Sequence, residues 1–194
     1  YGASKLCSDK LIIAANNIVG KRKINFSIVR YGNVMGSRGS VIPKFKDQAK
    51  KGQSLTITDP QMTRFNITMK ESIKMVVWSI LNCIGGEVVV PKIPSIKITD
   101  LAKSISPKSK IKYIGIRPGE KIHEELITKA ESPQTIDIKN YFLILPQENK
   151  KLRDHYLKKE GAKKVKSNFF YNSGTNSAFL NQNQIKKILK FNDI

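Results

Sequence analysis

Residues 24–43 read INFSIVRYGNVMGSRGSVIP. From Ile24 to Val34 the run is rich in β-branched and apolar side chains, the composition of a buried strand. GSRGS (36–40) supplies small, turn-forming residues and reads as a loop. Residues 42–51 carry a helical pattern that ends at Gly52. Strand, glycine loop and helix in succession are the working unit of an α/β chain, and the alternation continues outward on both sides. Residues 5–18 read as a helix with Leu6, Leu11, Ile12, Ala15 and Ile18 on one face. LTIT (55–58) is a short strand stopped at Asp59-Pro60. KESIKMVVWSILNC (70–83) is a helix closed by Gly85-Gly86, and EVVVP (87–91) is a buried strand. ITDLAKSI (98–105) is a helix with Thr99 as N-cap, KIKYIGI (110–116) a strand, EKIHEELI (120–127) a helix and YFLIL (141–145) a strand. QNQIKKILKF (182–191) forms an amphipathic helix capped near Asn181. The Asn- and Lys-rich stretch 146–180 reads as exposed and partly ordered, and no internal repeat is visible.

The chain has 194 residues, enough for one domain with a real core or two small ones. It begins at Tyr1, and no basic segment followed by an apolar run marks a secretory leader. No uninterrupted apolar run approaches the roughly 20 residues that cross a bilayer. Cys7 and Cys83 lack metal-ligand spacing and are expected as inert, buried or half-buried thiols of a cytoplasmic protein. The net charge is +20, yet of the 35 basic residues only six are arginine and 29 are lysine. Lysine spread along the whole chain argues against a nucleic-acid reader, which clusters its charge and favours the arginine fork. The two histidines, His123 and His155, form no site together and read as structural or surface residues.

Tyr1 and Lys5 stand at i and i+4, on one helix face. A nearby ammonium favours tyrosinate, which makes the phenol a general base near neutral pH. With six tyrosines and 29 lysines in 194 residues, chance alone supplies about one such pair. The pair gains meaning only from its sequel: YGASKLCSDK, then RYGNVMGSRGSV, MTRF and IRPGEK in fixed order.

That ordered set resembles the extended short-chain dehydrogenase/reductase family, and within it the inverting UDP-N-acetylglucosamine 4,6-dehydratases of polysaccharide biosynthesis. The resemblance runs from Tyr1 to about residue 145. It implies an α/β fold: the C-terminal part of a Rossmann-like NAD(P)-binding sheet plus a small α/β substrate-binding domain. On this view residues 1–36 hold the last part of the dinucleotide-binding domain and 37–69 a substrate-binding segment. Residues 70–95 return a helix and strand to the sheet, 96–145 form the C-terminal substrate-binding domain, and 146–194 are a polar tail with a terminal helix. The family's Gly-rich dinucleotide loop and its Asp-Lys acid/base pair are absent from these residues. GSRGS has neither G-x-G-x-x-G nor P-loop spacing. The resemblance therefore implies the C-terminal portion of a longer enzyme, inactive alone.

The resemblance also implies roles. Tyr1 and Lys5 would be catalytic and touch the cofactor, NADP or alternatively NAD. Val34, Met35, Gly36, Ser37 and Arg38 would border that cofactor. Asn33, Thr56, Arg64, Arg117 and Glu120 would hold the UDP-sugar. Four of the six arginines, Arg30, Arg38, Arg64 and Arg117, fall in the matching motifs, where a planar fork suits phosphate oxygens. Arg30, inside a strand, reads equally well as a structural ion pair. The implied reaction is transient oxidation at C4, loss of water across C5–C6 and return of hydride to C6, with inversion at C5. Implied partners are a UDP-sugar and further copies of the enzyme, with no metal, nucleic acid or membrane. A UDP-sugar 4-epimerase, a retaining 4,6-dehydratase and a lysine-rich nucleic-acid-binding protein remain the alternatives.

Overall fold

The computed structural model describes residues 2–147, 149–159 and 161–192. In chain order they form α1 (Gly2–Ala15), β1 (Ile28–Val29), β2 (Asn33–Val34), α2 (Val41–Lys50), β3 (Leu55–Ile57), β4 (Thr63–Ile67), α3 (Met69–Asn82), β5 (Val88–Pro91), β6 (Ser95–Lys97) and α4 (Ile98–Ile105). Then come β7 (Ile111–Tyr113), β8 (Glu125–Ile127), a 3-10 turn over Lys129–Gln134, β9 (Thr135–Ile138), β10 (Tyr141–Ile144), α5 (Lys150–Leu157), β11 (Ala162–Lys164), β12 (Tyr171–Asn172) and α6 (Gln182–Phe191). The fold class is α/β, and the chain divides into two compact units.

The first unit takes the described residues up to Tyr31, Ile73–Lys92 and Leu126–Phe170. Its sheet runs β1-β5-β10-β9-β11. β1 pairs parallel with β5, Ile28 opposite Val88, and the remaining strands extend the sheet antiparallel. Met75, Val89, Ile136, Leu143, Leu152 and Tyr156 pack together as its core. At the turn into β5 Glu87 is fully buried, and among the described residues its carboxylate has no ion-pair partner. It accepts instead from Ile84 N–H at 2.8 Å, Gly85 N–H at 2.9 Å, Ser27 Oγ at 2.6 Å and Tyr156 Oη at 2.9 Å. Four donors on one carboxylate offset the cost of burying it and tie α3, β5 and α5 to one point. Burial and the Glu87 charge push the neighbouring Cys83 thiol up to about 11, which keeps it protonated and inert. Cys7, by contrast, is exposed.

The second unit takes Gly32–Ser72, Ile93–Glu125 and the described residues from Tyr171 on. A sheet β2-β4-β6 and the parallel pair β3/β7 carry it. Ile42 and Phe45 of α2, Leu101 of α4 and Ile185 of α6 are buried together with Leu55 and Ile57. Each such side chain contributes about 1.5–3 kcal/mol of apolar burial. α6 starts on a capping box: Asn181 Oδ1 accepts from Gln184 N–H, and the Gln184 side chain accepts from Asn181 N–H.

Several elements differ from expectation, each for a local reason. The apolar run 24–34 is not one strand: it splits into β1 and β2, which serve separate sheets. Residues 120–127 are not helical. Their backbone groups are claimed from outside, Ile122 O by Thr63 N–H and Glu124 O by Ser173 N–H, so no i+4 ladder forms. The stretch 146–180 is not loose. Asn149 caps α5 by accepting from Leu152 N–H at 3.0 Å, and Leu152 and Tyr156 are buried one turn apart. Residues 126–145, assigned from sequence to a substrate-binding part, fall instead in the first unit, where Thr135–Ile138 and Tyr141–Ile144 form β9 and β10 of its sheet. Thr99 does not cap α4; the helix opens one residue earlier, and Ile98 N–H is satisfied by Met62 O at 3.0 Å. The helix expected over 5–18 ends at Ala15, and Leu6, Leu11 and Ile12 on α1, with Ile18 in the turn after it, are exposed rather than forming a core face. Among the described residues no helix is long and apolar enough to cross a membrane, and no group of three or more His, Cys, Asp or Glu is placed to hold a metal ion.

Arg30 resolves as a structural residue. Its Nη2 donates to Asp9 at 2.9 Å, and its Nη1 to Glu131 at 3.0 Å and to Leu126 O at 3.0 Å. Burial alone would raise the Glu131 carboxyl, but the Thr128 N–H bond and the Arg30 charge outweigh it and hold it below the usual glutamate value. A depressed carboxyl contributes stability above its unfolded pKa, about 4.3, and that stability is lost as pH falls through the folded value. Thermal melts between about pH 7 and pH 3 check this. The Glu131→Gln variant is expected to melt lower at neutral pH, and to lose less on acidification than the parent.

Candidate functional site

The sequence RPGE folds as a tight turn in the second unit. Glu120 N–H donates to Arg117 O at 3.0 Å, with proline second and Gly119 third at φ +78°. Those are the residues that a type II turn selects. The Glu120 carboxylate reaches back to Arg117 N–H at 3.4 Å, so Arg117 and Glu120 are locked to each other. Arg64, on β4, anchors this segment from the other side. Its Nη1 donates to Thr63 O at 2.8 Å and Ile122 O at 3.0 Å, its Nε lies 3.4 Å from Glu124, and its Nη2 lies 3.9 Å from Glu120. The Arg64 side chain is only 13% exposed. Most of its fork is thus spent on the protein, and Nη2 is the edge without a close hydrogen bond. Arg117 is exposed and, among the described residues, has no carboxylate partner for its guanidinium. The Glu120 carboxylate thereby stands between the Arg117 backbone and the Arg64 guanidinium, and the turn carries the exposed Arg117.

Asn33 stands on β2, paired in parallel register with Asn66 of β4. This pairing needs the preceding glycine. A methyl group on Gly32 would lie 2.5 Å from Phe65 Cβ and 2.6 Å from Phe65 O. Phe65 cannot retreat, because it is fully buried with its ring 4.5 Å from that of Tyr171. RYGN and MTRF are therefore one construction, with residue 32 as the point of closest approach.

The remaining expected residues fall as follows. Tyr1 lies outside the described residues, and Lys5 is exposed on α1 in the first unit. Val34 is half-buried, and Ser37 and Arg38 are exposed on the loop into α2, where Gly36 and Gly39 both have φ +74°. Met35 differs from expectation: its side chain joins the core of the second unit, because Met35 N–H bonds to Ile67 O at 2.9 Å and turns it inward. Only its backbone remains to meet a cofactor. Thr56, on β3, gives its hydroxyl to a hydrogen bond from Gln48 Nε2 at 3.0 Å, not to the Arg64–Glu120 group.

Sequence reasoning missed a set of hydroxyls behind this site. Thr63 Oγ1 lies 2.8 Å from His123 Nδ1 and 2.7 Å from Ser173 Oγ, and Ser173 Oγ accepts from Glu124 N–H at 2.8 Å. His123 thus has a structural place, also pressed against Gly174. Nothing in single serine and threonine residues 110 positions apart signals such a contact.

Comparison with known proteins gives a consistent family. The profile described as polysaccharide biosynthesis protein matches residues 1–146. The UDP-N-acetylglucosamine 4,6-dehydratase (inverting) of Campylobacter jejuni subsp. jejuni serotype O:2 is 44% identical over 194 residues, covering 97% of this chain and 58% of that protein. A UDP-glucose 4-epimerase of Rickettsia bellii (strain OSU 85-389) is 38% identical over 192 residues, covering 97% of this chain and 56% of that protein. The X-ray structure of Pen from Bacillus thuringiensis matches the whole chain with a TM-score of 0.87 at 34% identity, over 58% of its own length. The chain thus spans less than two thirds of the relatives it matches.

The Gly32 contact is directly testable. Gly32→Ala is expected to cost about 2–3 kcal/mol in urea unfolding, because neither backbone can yield. Gly39→Ala meets open space and only a strained φ; it is expected to cost about 1 kcal/mol.

Proposed function

The chain belongs to the polysaccharide biosynthesis protein family, and we propose that it carries catalytic and substrate-binding residues of a nucleotide-sugar 4,6-dehydratase that acts on UDP-N-acetylglucosamine with inversion at C5. The observation that carries this reading is the Arg117–Glu120 turn buttressed by Arg64. Two forks face a diphosphate, and Glu120 accepts from a ribose hydroxyl. Asn33, at the carboxyl end of β2, stands where open α/β sheets receive ligands.

Tyr1, as tyrosinate, takes the proton of the C4 hydroxyl. Lys5, four residues on in sequence, favours the phenolate by its charge. A ketone at C4 then acidifies the C5 hydrogen, and water is lost across C5–C6. The acid and base groups for those steps belong to the family's Asp-Lys pair, which these residues do not include. A nicotinamide cofactor, when bound, supplies reversible hydride acceptance. The donor set of the loop Val34–Arg38 fits such an anionic group, with the exposed Arg38 guanidinium and a backbone opened at Gly36. NADP is the form we propose.

The name of the Rickettsia relative supports a second reading, a UDP-sugar 4-epimerase. Product mass separates the two in the complete enzyme, since only dehydration removes a water. For this chain the test is titration calorimetry with UDP. Arg117→Ala is expected to weaken UDP binding at least tenfold, the loss of a charged hydrogen-bond pair, with no change in melting temperature because the side chain is exposed. Unchanged affinity in that variant contradicts the proposal.

A further inference from the structure

Asn66 has no role in the motifs read from sequence, yet its setting is unusual. It lies on β4, 6% exposed, directly opposite Asn33. Alternation along a strand puts Arg64 and Asn66 on one face and Thr63, Phe65 and Ile67 on the other. That second face is the filled one: Thr63, Phe65 and Ile67 are all buried, and Phe65 packs on Tyr171. Partners in parallel register share a face, so Asn33, Arg64 and Asn66 line the same side of the β2/β4 ladder.

Among the described residues the Asn66 carboxamide has no hydrogen-bond partner. Its backbone is satisfied, with N–H donating to Pro94 O at 3.1 Å. Buried amides without partners are rare in folded proteins and ask for an explanation. Ser40 Oγ is the one unpartnered side-chain atom that is wholly enclosed among the described residues. The Asn66 amide therefore retains a polar edge open to the face it shares with Asn33 and Arg64.

We propose that Asn66 is a specificity-determining residue that binds the sugar of the nucleotide sugar, through a ring hydroxyl or the acetamido group. This rests on the substrate reading above. Phosphate oxygens only accept, and the arginine forks serve them. A carboxamide both donates and accepts, as do a hydroxyl and an acetamide. Two residues along a strand span about 7 Å, which sets the amide beyond the phosphates that Arg64 addresses rather than upon them.

Calorimetric titration of the chain with UDP-N-acetylglucosamine and, separately, with UDP tests this. Asn66→Leu keeps the volume and removes the amide. It is expected to lower affinity for the nucleotide sugar about tenfold or more while leaving UDP affinity within about twofold, as polar sites discriminate against a lost partner. Asn66→Asp keeps the shape and removes the two donors, and is expected to show the same selective loss should the leucine variant fold poorly. Equal losses for both ligands, or no loss for either, overturn the assignment. A parent chain that binds neither ligand overturns the substrate reading itself, and this assignment with it.

Discussion

Gly32 and Phe65 approach so closely that no side chain fits between them, and the arrangement of the second unit's site follows from that contact. It brings the two-residue strand β2 into register with β4, which sets Asn33 opposite Asn66. It also fixes the direction of β4, whose alternation turns Phe65 and Thr63 to one face and Arg64 to the other. Arg64 in turn holds Ile122 O and the Glu120–Glu124 segment, and so the turn that presents Arg117. A short ladder of this kind has little strength of its own. Packing of Phe65 on Tyr171 and the Thr63–Ser173–His123 hydroxyl contacts supply the rest.

The arginines divide by what their forks face. Arg30 and Arg64 spend theirs largely on carbonyls and carboxylates of the protein, where a planar, bidentate donor satisfies several acceptors at once. Arg38 and Arg117 are exposed on loops. In a chain that uses 29 lysines for general charge, arginine marks places that need geometry. It does not by itself say whether the partner is internal or external. Glu87 shows the complementary solution in the first unit: a buried carboxylate held by two backbone N–H groups, a serine and a tyrosine.

The α/β class and the amphipathic helix α6 were legible in the sequence, because apolar spacing and caps such as Asn181 act locally; α3 was legible as a helix too, although Ile73, Ile80 and Leu81 on it are exposed rather than part of a core face. RPGE was legible as a motif; that it folds as a tight turn, which its proline and glycine favour, was not read from it. What was not legible depended on distant partners. EKIHEELI has helical composition, yet Thr63 and Ser173 take its backbone groups. In 146–180 only Leu152 and Tyr156 reveal the buried side of α5 among many lysines, too sparse a pattern to stand out. Asn66 escaped for the same reason: its significance lies in its neighbour across the ladder and not in its own sequence context.

The most direct test is a crystal structure of the chain grown with UDP-N-acetylglucosamine. The account predicts diphosphate oxygens within hydrogen-bond distance of the Arg117 guanidinium and of Arg64 Nη2, with the sugar directed along the face that carries Asn33. Nucleotide bound away from the Arg117–Glu120 turn, with that turn unoccupied, would contradict it.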